Sequence, residues 1–233
     1  MSPPTGLLDR TAAGRWTACH LAEVIDVKDP AGQNRVLVRL LAFDGVDGQD
    51  APVWARVAVP FAGNDYGAFM IPDVGDEVLV TFVSGDPRFP VVVGSLWNGA
   101  APPPEVLGGS GSRVDRWTLV GKEGTRIAII EERPGQAAIS LTTPGGVKTL
   151  LTDEGGGKIR MEAAGTTITI DAKGVSVQTG GKVQVQASQV DVTAGQVNVN
   201  AAMSTFAGIV KCDVLQTTTV IATTYTPGAG NVW

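Results

Sequence analysis

The 233-residue sequence is poor in the side chains that most often build metal and nucleophilic sites. It contains one histidine, His20, and two distant cysteines, Cys19 and Cys212, with no CxxC pair. These counts exclude a disulfide framework and a Cys/His zinc site. Two reduced thiols are therefore expected, as in a protein made in the cytoplasm.

Long hydrophobic runs and an excess of positive charge are also lacking. No stretch approaches the 18 or more apolar residues of a transmembrane helix. The first 16 residues have no apolar segment typical of a secretory signal, so we expect synthesis in the cytoplasm without a signal peptide. The net charge of −5 disfavours a surface that binds nucleic acid.

Aromatic residues make up only 6% of the chain, whereas glycine is abundant at 30 residues. Hydrophobic residues reach 43%, enough to build a core. Low aromatic content with many glycines is more typical of repetitive β-structure with tight turns than of a helical bundle. The composition therefore predicts an all-β protein.

The first hundred residues alternate between apolar and polar positions in short segments. The pattern predicts five strands, at 20–28, 35–43, 53–59, 76–83 and 90–96. Without a helical period, this predicts an OB-fold, a five-stranded Greek-key barrel, over residues 15–98. Residues 1–14 are predicted to be a flexible N-terminal arm, and 99–112 a Pro/Gly linker. Residues 113–165 are predicted to be irregular β-structure, with strand pieces at 125–130, 138–142 and 158–162.

A short repeat follows from residue 166. Successive apolar pairs are separated by one residue, and their first members lie 7, 8, 7 and 7 positions apart. Positions i and i+2 share a face only in a strand, which excludes the heptad of a coiled coil. The pairs are Ile168/Ile170, Val175/Val177, Val183/Val185, Val190/Val192 and Val197/Val199.

Seven or eight residues make one strand and one turn, too little for a chain to close a core by itself. Three chains can close a triangular prism with the paired valines and isoleucines inside. We therefore predict an intertwined triple-stranded β-helix over residues 166–224, a homotrimer with those ten residues as its core. Intervening polar residues such as Gln184, Asp191 and Asn198 face solvent in this arrangement. A flat meander packed on another domain remains the alternative.

Three motifs in the barrel region occur in a characteristic order. They are WARVAVP at 54–60, PDVGDEVLV at 72–80 and GDPRFPVVVGSLWNG at 85–99. Together they resemble the OB-fold domain of VgrG and phage baseplate assembly protein V spikes. The β-repeat after a Pro-rich linker extends the resemblance over most of the chain.

The resemblance implies the trimeric central spike of a contractile injection machine, in a phage virion, a phage-tail-like particle or a type VI system. It implies a separate trimeric hub protein, because only about 15 residues precede the barrel. It also implies only transient contact with the target membrane. The single histidine excludes an iron-binding His-x-His tip, so a PAAR-repeat tip protein is expected at the C-terminal end. The expected tip interface is Tyr225, Pro227, Asn231, Val232 and Trp233.

No catalytic, metal or cofactor residue is predicted. Adjacent strand residues such as Cys19 and His20 point to opposite faces, and acid pairs such as Glu131/Glu132, Asp73/Asp76 and Asp153/Glu154 are expected to be solvated. Two other functions stay open. One is an OB-fold module on a β-stalk that binds nucleic acid or oligosaccharide, and the other is a spike enzyme that degrades cell wall. The sequence has no insert of lysozyme size, which disfavours the enzyme. It also lacks basic character, which disfavours binding of nucleic acid.

Overall fold

A computed structural model describes residues 18–43 and 52–224 of the chain. It contains strands and two short 3-10 turns but no α-helix among these residues. Two compact units meet after Lys182. The first holds all the strands, in a barrel and a separate seven-stranded sheet.

The barrel is built from seven strand segments. They are β1 (His20–Asp26), β2 (Val36–Leu40), β3 (Val53–Val57), β4 (Ala62–Gly63), β5 (Tyr66–Gly67), β6 (Glu77–Phe82) and β7 (Pro90–Leu96). Five of them close in the order β1-β2-β3-β7-β6, while β4 and β5 form a small hairpin. The β3–β7 pair is parallel, and β1 pairs with β6 to complete the closure. The predicted all-β chain with a five-stranded barrel is confirmed.

Strict alternation explains the barrel core. Val36, Val38 and Leu40 point inward from β2, and Val78 and Val80 do so from β6. The predicted second strand is too long, because Leu41–Phe43 turns into a 3-10 helix. The other four predicted strands agree with the structure to within two residues at each end.

Seven further strands form an antiparallel meander, in which each strand pairs with the next along the chain. They are β8 (Arg116–Val120), β9 (Arg126–Ile130), β10 (Ala138–Thr142), β11 (Lys148–Thr152), β12 (Lys158–Ala163), β13 (Thr166–Asp171) and β14 (Gly174–Gln178). Two connections have only two residues, and one of them is the turn at Ala164 and Gly165, which have positive φ of 47° and 76°. Such a turn matches the twist of a β-hairpin.

The meander differs from the irregular region predicted for residues 113–165. The predicted strand pieces lie within β9, β10 and β12, but β8 and β11 were not predicted. The sheet also continues into the first part of the repeat. Ile168, Ile170, Val175 and Val177 lie in β13 and β14, which pair antiparallel within one chain. For residues 166–178 the structure thus has the meander that the sequence analysis kept as its alternative.

The second unit has a different character. None of its described residues, 183–224, lies in a strand. Its apolar side chains are exposed, with Val185 at 74%, Val192 at 70% and Val199 at 69% of their full accessible surface.

Candidate functional site

One face of the seven-stranded sheet is almost entirely apolar. Two cross-strand rows follow the register of the ladder, in which each residue lies directly opposite its neighbour on the adjacent strand. The first row is Trp117, Ile129, Ile139, Leu151, Ile159, Ile170 and Val175. The second row is Leu119, Ile127, Leu141, Thr149, Met161, Ile168 and Val177. We call these two rows the apolar face.

The apolar face is uncovered in the single chain. Trp117 keeps 53% of its surface exposed, Ile129 45% and Val175 71%. An open groove of about 760 Å³ runs along the first row, against Ile129, Ile139, Leu151, Ile159 and Ile170. Contiguous exposed apolar surface on this scale marks an interaction site.

The opposite face of the same sheet carries the charged side chains. Successive side chains of a strand alternate between faces, so Arg116, Arg126, Lys148, Lys158 and Arg160 point away from the apolar face. One face of the meander is therefore suited to contact with solvent, and the other to an apolar interface that excludes water.

In the second unit, hydrogen bonds between polar side chains join residues that are two positions apart. Gln189 donates its Nε2–H to both carboxylate oxygens of Asp191 at 2.9 and 2.7 Å. Gln196 donates in the same way to Asn198 Oδ1 at 3.0 Å. Side chains at positions i and i+2 share one face of a strand, so in a strand formed on assembly Val190 and Val192 would lie on the other face. The same reasoning sets Val197 and Val199 opposite Asn198.

A charge cluster fastens the linker to the start of the sheet. Arg116 donates to Glu105 Oε2 at 3.1 Å and also contacts Glu132, while Arg126 donates to Glu105 Oε1. The hydrogen bond from Arg126, helped by Arg116, lowers the pKa of Glu105 to about 2. Glu105 is therefore ionised at any physiological pH.

The glycine-rich end of the linker packs against a buried carboxylate. Asp115 is 2% exposed and accepts the backbone N–H of Gly108 at 3.1 Å. Gly109 has a φ of +42°, and a Cβ on it would lie 2.9 Å from Asp115 Oδ2. Glycine at this position therefore allows the close approach of the linker to Asp115.

The other candidate residues have structural surroundings. His20 packs edge to face on Phe82, with ring centroids 5.6 Å apart, and Cys19 is exposed. Asp73 forms an ion pair with Lys122, which joins the barrel to the β8–β9 turn and lowers the pKa of Asp73.

Two further acids of the barrel have arginine partners. Asp29 accepts from Arg35 and Asp86 from Arg88, and these hydrogen bonds hold both carboxyl pKa values well below their usual range. Over residues 18–43 and 52–224, no group of three His, Cys, Asp or Glu side chains is arranged to hold a metal ion. No helix within those ranges is long and apolar enough to span a membrane.

Comparison with known families assigns the barrel and a segment that runs from the seven-stranded sheet into the second unit. Residues 20–97 match the type VI secretion system/phage-baseplate injector OB domain. Residues 138–203 match the phage baseplate V C-terminal trimerisation domain. The chain carries the OB and trimerisation domains of the phage baseplate V family. The recognition made from the three barrel motifs is thus confirmed, and the trimerisation domain supports a homotrimer.

Individual relatives are spike proteins of type VI secretion systems. The chain is 40% identical over 98 residues to the spike protein VgrG4b of Pseudomonas aeruginosa, a match that covers 41% of this chain and 12% of that protein. It is 43% identical over 54 residues to VgrG3 of Vibrio cholerae, which covers 23% and 5%. It is 37% identical over 59 residues to the Vibrio cholerae protein named actin cross-linking toxin VgrG1, which covers 25% and 5%. The chain thus spans about an eighth or less of the length of these relatives.

The predicted site residues fall into three groups according to where they lie in the structure. The first two apolar pairs join the apolar face of the sheet, and the other three pairs lie exposed in the second unit. The predicted tip interface, Tyr225, Pro227, Asn231, Val232 and Trp233, lies outside the described residues. The sequence analysis missed Trp117, Leu119, Ile127, Ile129, Ile139 and Leu141. Their i, i+2 spacing was the available signal, but turns of unequal length hide it.

Proposed function

We propose that the protein is a structural spike of a contractile injection machine, in which three copies pack around a dry axis. The observation that carries this proposal is an apolar face on a chain that has both an injector barrel and a trimerisation domain. A single chain leaves that face and the valine pairs in water, which is unfavourable by about 25 cal/mol per Å² of apolar surface. Three copies that enclose them form a rod with few open sheet edges, stiff enough for a mechanical role.

The proposal includes partners at the two ends. The barrels sit on a separate trimeric hub protein, and a PAAR-repeat tip protein binds the C-terminal residues 225–233. The machine is a phage virion, a phage-tail-like particle or a type VI system, whose spike is made in the cytoplasm and meets the target membrane only transiently. Similarity to chains named spike proteins supports this role.

The spike acts without catalysis in this proposal. The carboxylates of Asp29, Asp86 and Glu105 are engaged by arginines that lower their pKa values, so none of them is suited to donate a proton near neutral pH. Cell-wall clearing by the purified protein would contradict this part of the proposal.

Two measurements test the structural role. Light scattering should give three times the 24.1 kDa mass of one chain, and a monomeric mass would refute the spike. Immunogold labelling of particles purified from producing cells should place the protein at the baseplate end, and label elsewhere or nowhere on the particle would also count against it.

The tip contact has its own test. Deleting residues 225–233 should leave the trimer intact, because the apolar face and valine pairs are retained, and should abolish co-purification of the tip protein. Alanine at Trp233 alone is a milder variant that should weaken the same binding. Unchanged tip binding by the deletion variant would remove this part of the proposal while leaving the trimer in place.

A further inference from the structure

The apolar face begins well before the matched trimerisation segment. That segment starts at residue 138, the first residue of β10. Ile129 and Ile127 on β9 are the direct strand partners of Ile139 and Leu141 on β10. The two rows therefore cross the start of the segment without a break, and whatever covers β10 to β14 also meets β8 and β9.

The chemistry of this surface fits further copies of the same chain. Thirteen of the fourteen positions in the two rows are apolar, and the remaining one is Thr149, so a charged partner has no counterpart there. The surface is also continuous with a trimerisation domain, which supplies an apolar surface of identical size in each copy. Cations lie on the opposite face, where Arg116 and Arg126 are paired with Glu105.

The valine repeat by itself does not fix the register between chains, whereas the sheet can. Val183/Val185, Val190/Val192 and Val197/Val199 are identical pairs at seven-residue intervals. If one chain slips by seven residues, valine still meets valine, so the pairs alone specify register weakly. The sheet rows are unequal along their length. Trp117 ends the first row and Met161 interrupts the second, so a shifted copy places side chains of the wrong size together.

The sheet and the valine repeat also differ in whether their strands can pair within a single chain. Every strand of the sheet has its hydrogen-bonded partner in the same chain. Residues 183–224 have no strand pairing in the single chain, and they expose their valines. The sheet is therefore complete before chains meet, whereas strands of the repeat need neighbours.

We propose that the apolar face, from Trp117 onward, joins the three chains first and sets the register in which the valine pairs beyond Lys182 then meet. This inference rests on the proposed trimeric spike and adds an alignment role for strands β8 and β9. The partner surface is the same face of the two other copies.

The first test is a charge on the upstream part of the face, in the full chain. Ile129→Glu should reduce the yield of trimer at least tenfold, measured by light scattering under native conditions. The matched control is Ser140→Glu, which adds the same charge to the opposite face of the neighbouring strand, in a groove also lined by Lys148, Arg160 and Glu162. The control should assemble like the parent, and because Ser140 is the strand partner of the buried Ala128, its folding is checked in the same way as that of Ile129→Glu. Far-UV circular dichroism checks folding, since Ile129 is already 45% exposed in the single chain and a Glu fits there.

The outcomes separate this inference from the proposed function. A parent trimer together with a wild-type yield from Ile129→Glu overturns the inference but leaves the spike intact. A monomeric parent overturns both.

A second test addresses register. A spin label on Asn198→Cys, in a chain with Cys19→Ser and Cys212→Ser, should give one narrow distance between copies in the otherwise unchanged trimer. Trp117→Ala combined with Ile129→Ala should broaden that distribution or add a second distance, because a slip by one repeat moves a label by about one strand spacing, roughly 5 Å, along the axis. An unchanged narrow distance in that variant would overturn the alignment role.

Discussion

Replacing Val199 by Asp should abolish the trimer of the proposed spike, which we expect to resist SDS because its apolar core is enclosed by three chains. Val199 is 69% exposed in the single chain. Full burial of a valine contributes about 1.5–3 kcal/mol, so about two thirds of that, roughly 1–2 kcal/mol per chain, is still to be gained on assembly. Three copies in one layer give about 3–6 kcal/mol.

The charge adds a larger penalty than the lost burial. An unpaired carboxylate moved out of water costs several kcal/mol even after relaxation, and three such groups face each other across the axis. The total is on the order of 10 kcal/mol or more per trimer. Because burial raises the pKa of such a carboxyl, the carboxyls take up protons as the pH falls, and part of the trimer should return on acidification.

The matched control lies one residue away. Asn198→Asp adds the same charge on the other side of the extended chain, where the side chain already accepts a hydrogen bond from Gln196. Asp191 occupies the corresponding position one repeat earlier and accepts from Gln189, so an acid is tolerated there. Unheated SDS gels should show a trimer band for Asn198→Asp and none for Val199→Asp. A trimer band of equal strength in both variants would refute the inward assignment of the valine pairs.

Two further predictions concern the linker. Glu105→Gln should lower the free energy of unfolding of the first unit by about 1–3 kcal/mol at pH 7, since it weakens charged hydrogen bonds to Arg116 and Arg126. The pKa of Glu105 is depressed from 4.5 to about 2. The difference in the free energy of unfolding between parent and variant should therefore be full above about pH 4.5 and vanish as the pH falls through 2. A difference that grows on acidification would contradict this prediction. Gly109→Ala should lower the melting temperature more than Gly111→Ala. Both glycines have positive φ, but only a Cβ on Gly109 meets Asp115 Oδ2 at 2.9 Å; equal losses would show that the close approach is unimportant.

The barrel follows from local pattern more directly than the sheet does. In β2 and β6 the apolar residues alternate strictly, because each strand has one face in the barrel core and one toward water. This alternation, with glycine and proline turns, is enough to place five strands and predict their closure. The three barrel motifs then identify the family.

The i, i+2 spacing in the sequence predicts strands for the apolar pairs, and the structure has strands at the first two of them, Ile168/Ile170 and Val175/Val177. Only the tertiary structure decided at which residue an intertwined β-helix of three chains can begin. Residues 166–178 carry the same spacing as the later pairs, yet Ile170 and Val175 are partners in a hairpin of one chain. The difference lies in the two-residue turn between β13 and β14, which lets a chain pair with itself.

Tertiary pairing alone revealed how far the apolar face extends. Trp117, Ile129 and Ile139 are separated by connections of unequal length, so no period in the sequence brings them together. The hydrogen-bonded register places them side by side in one row. A strand's own residues decide which of them share a face, but which strands lie next to each other depends on turns and ladders that only the folded chain specifies.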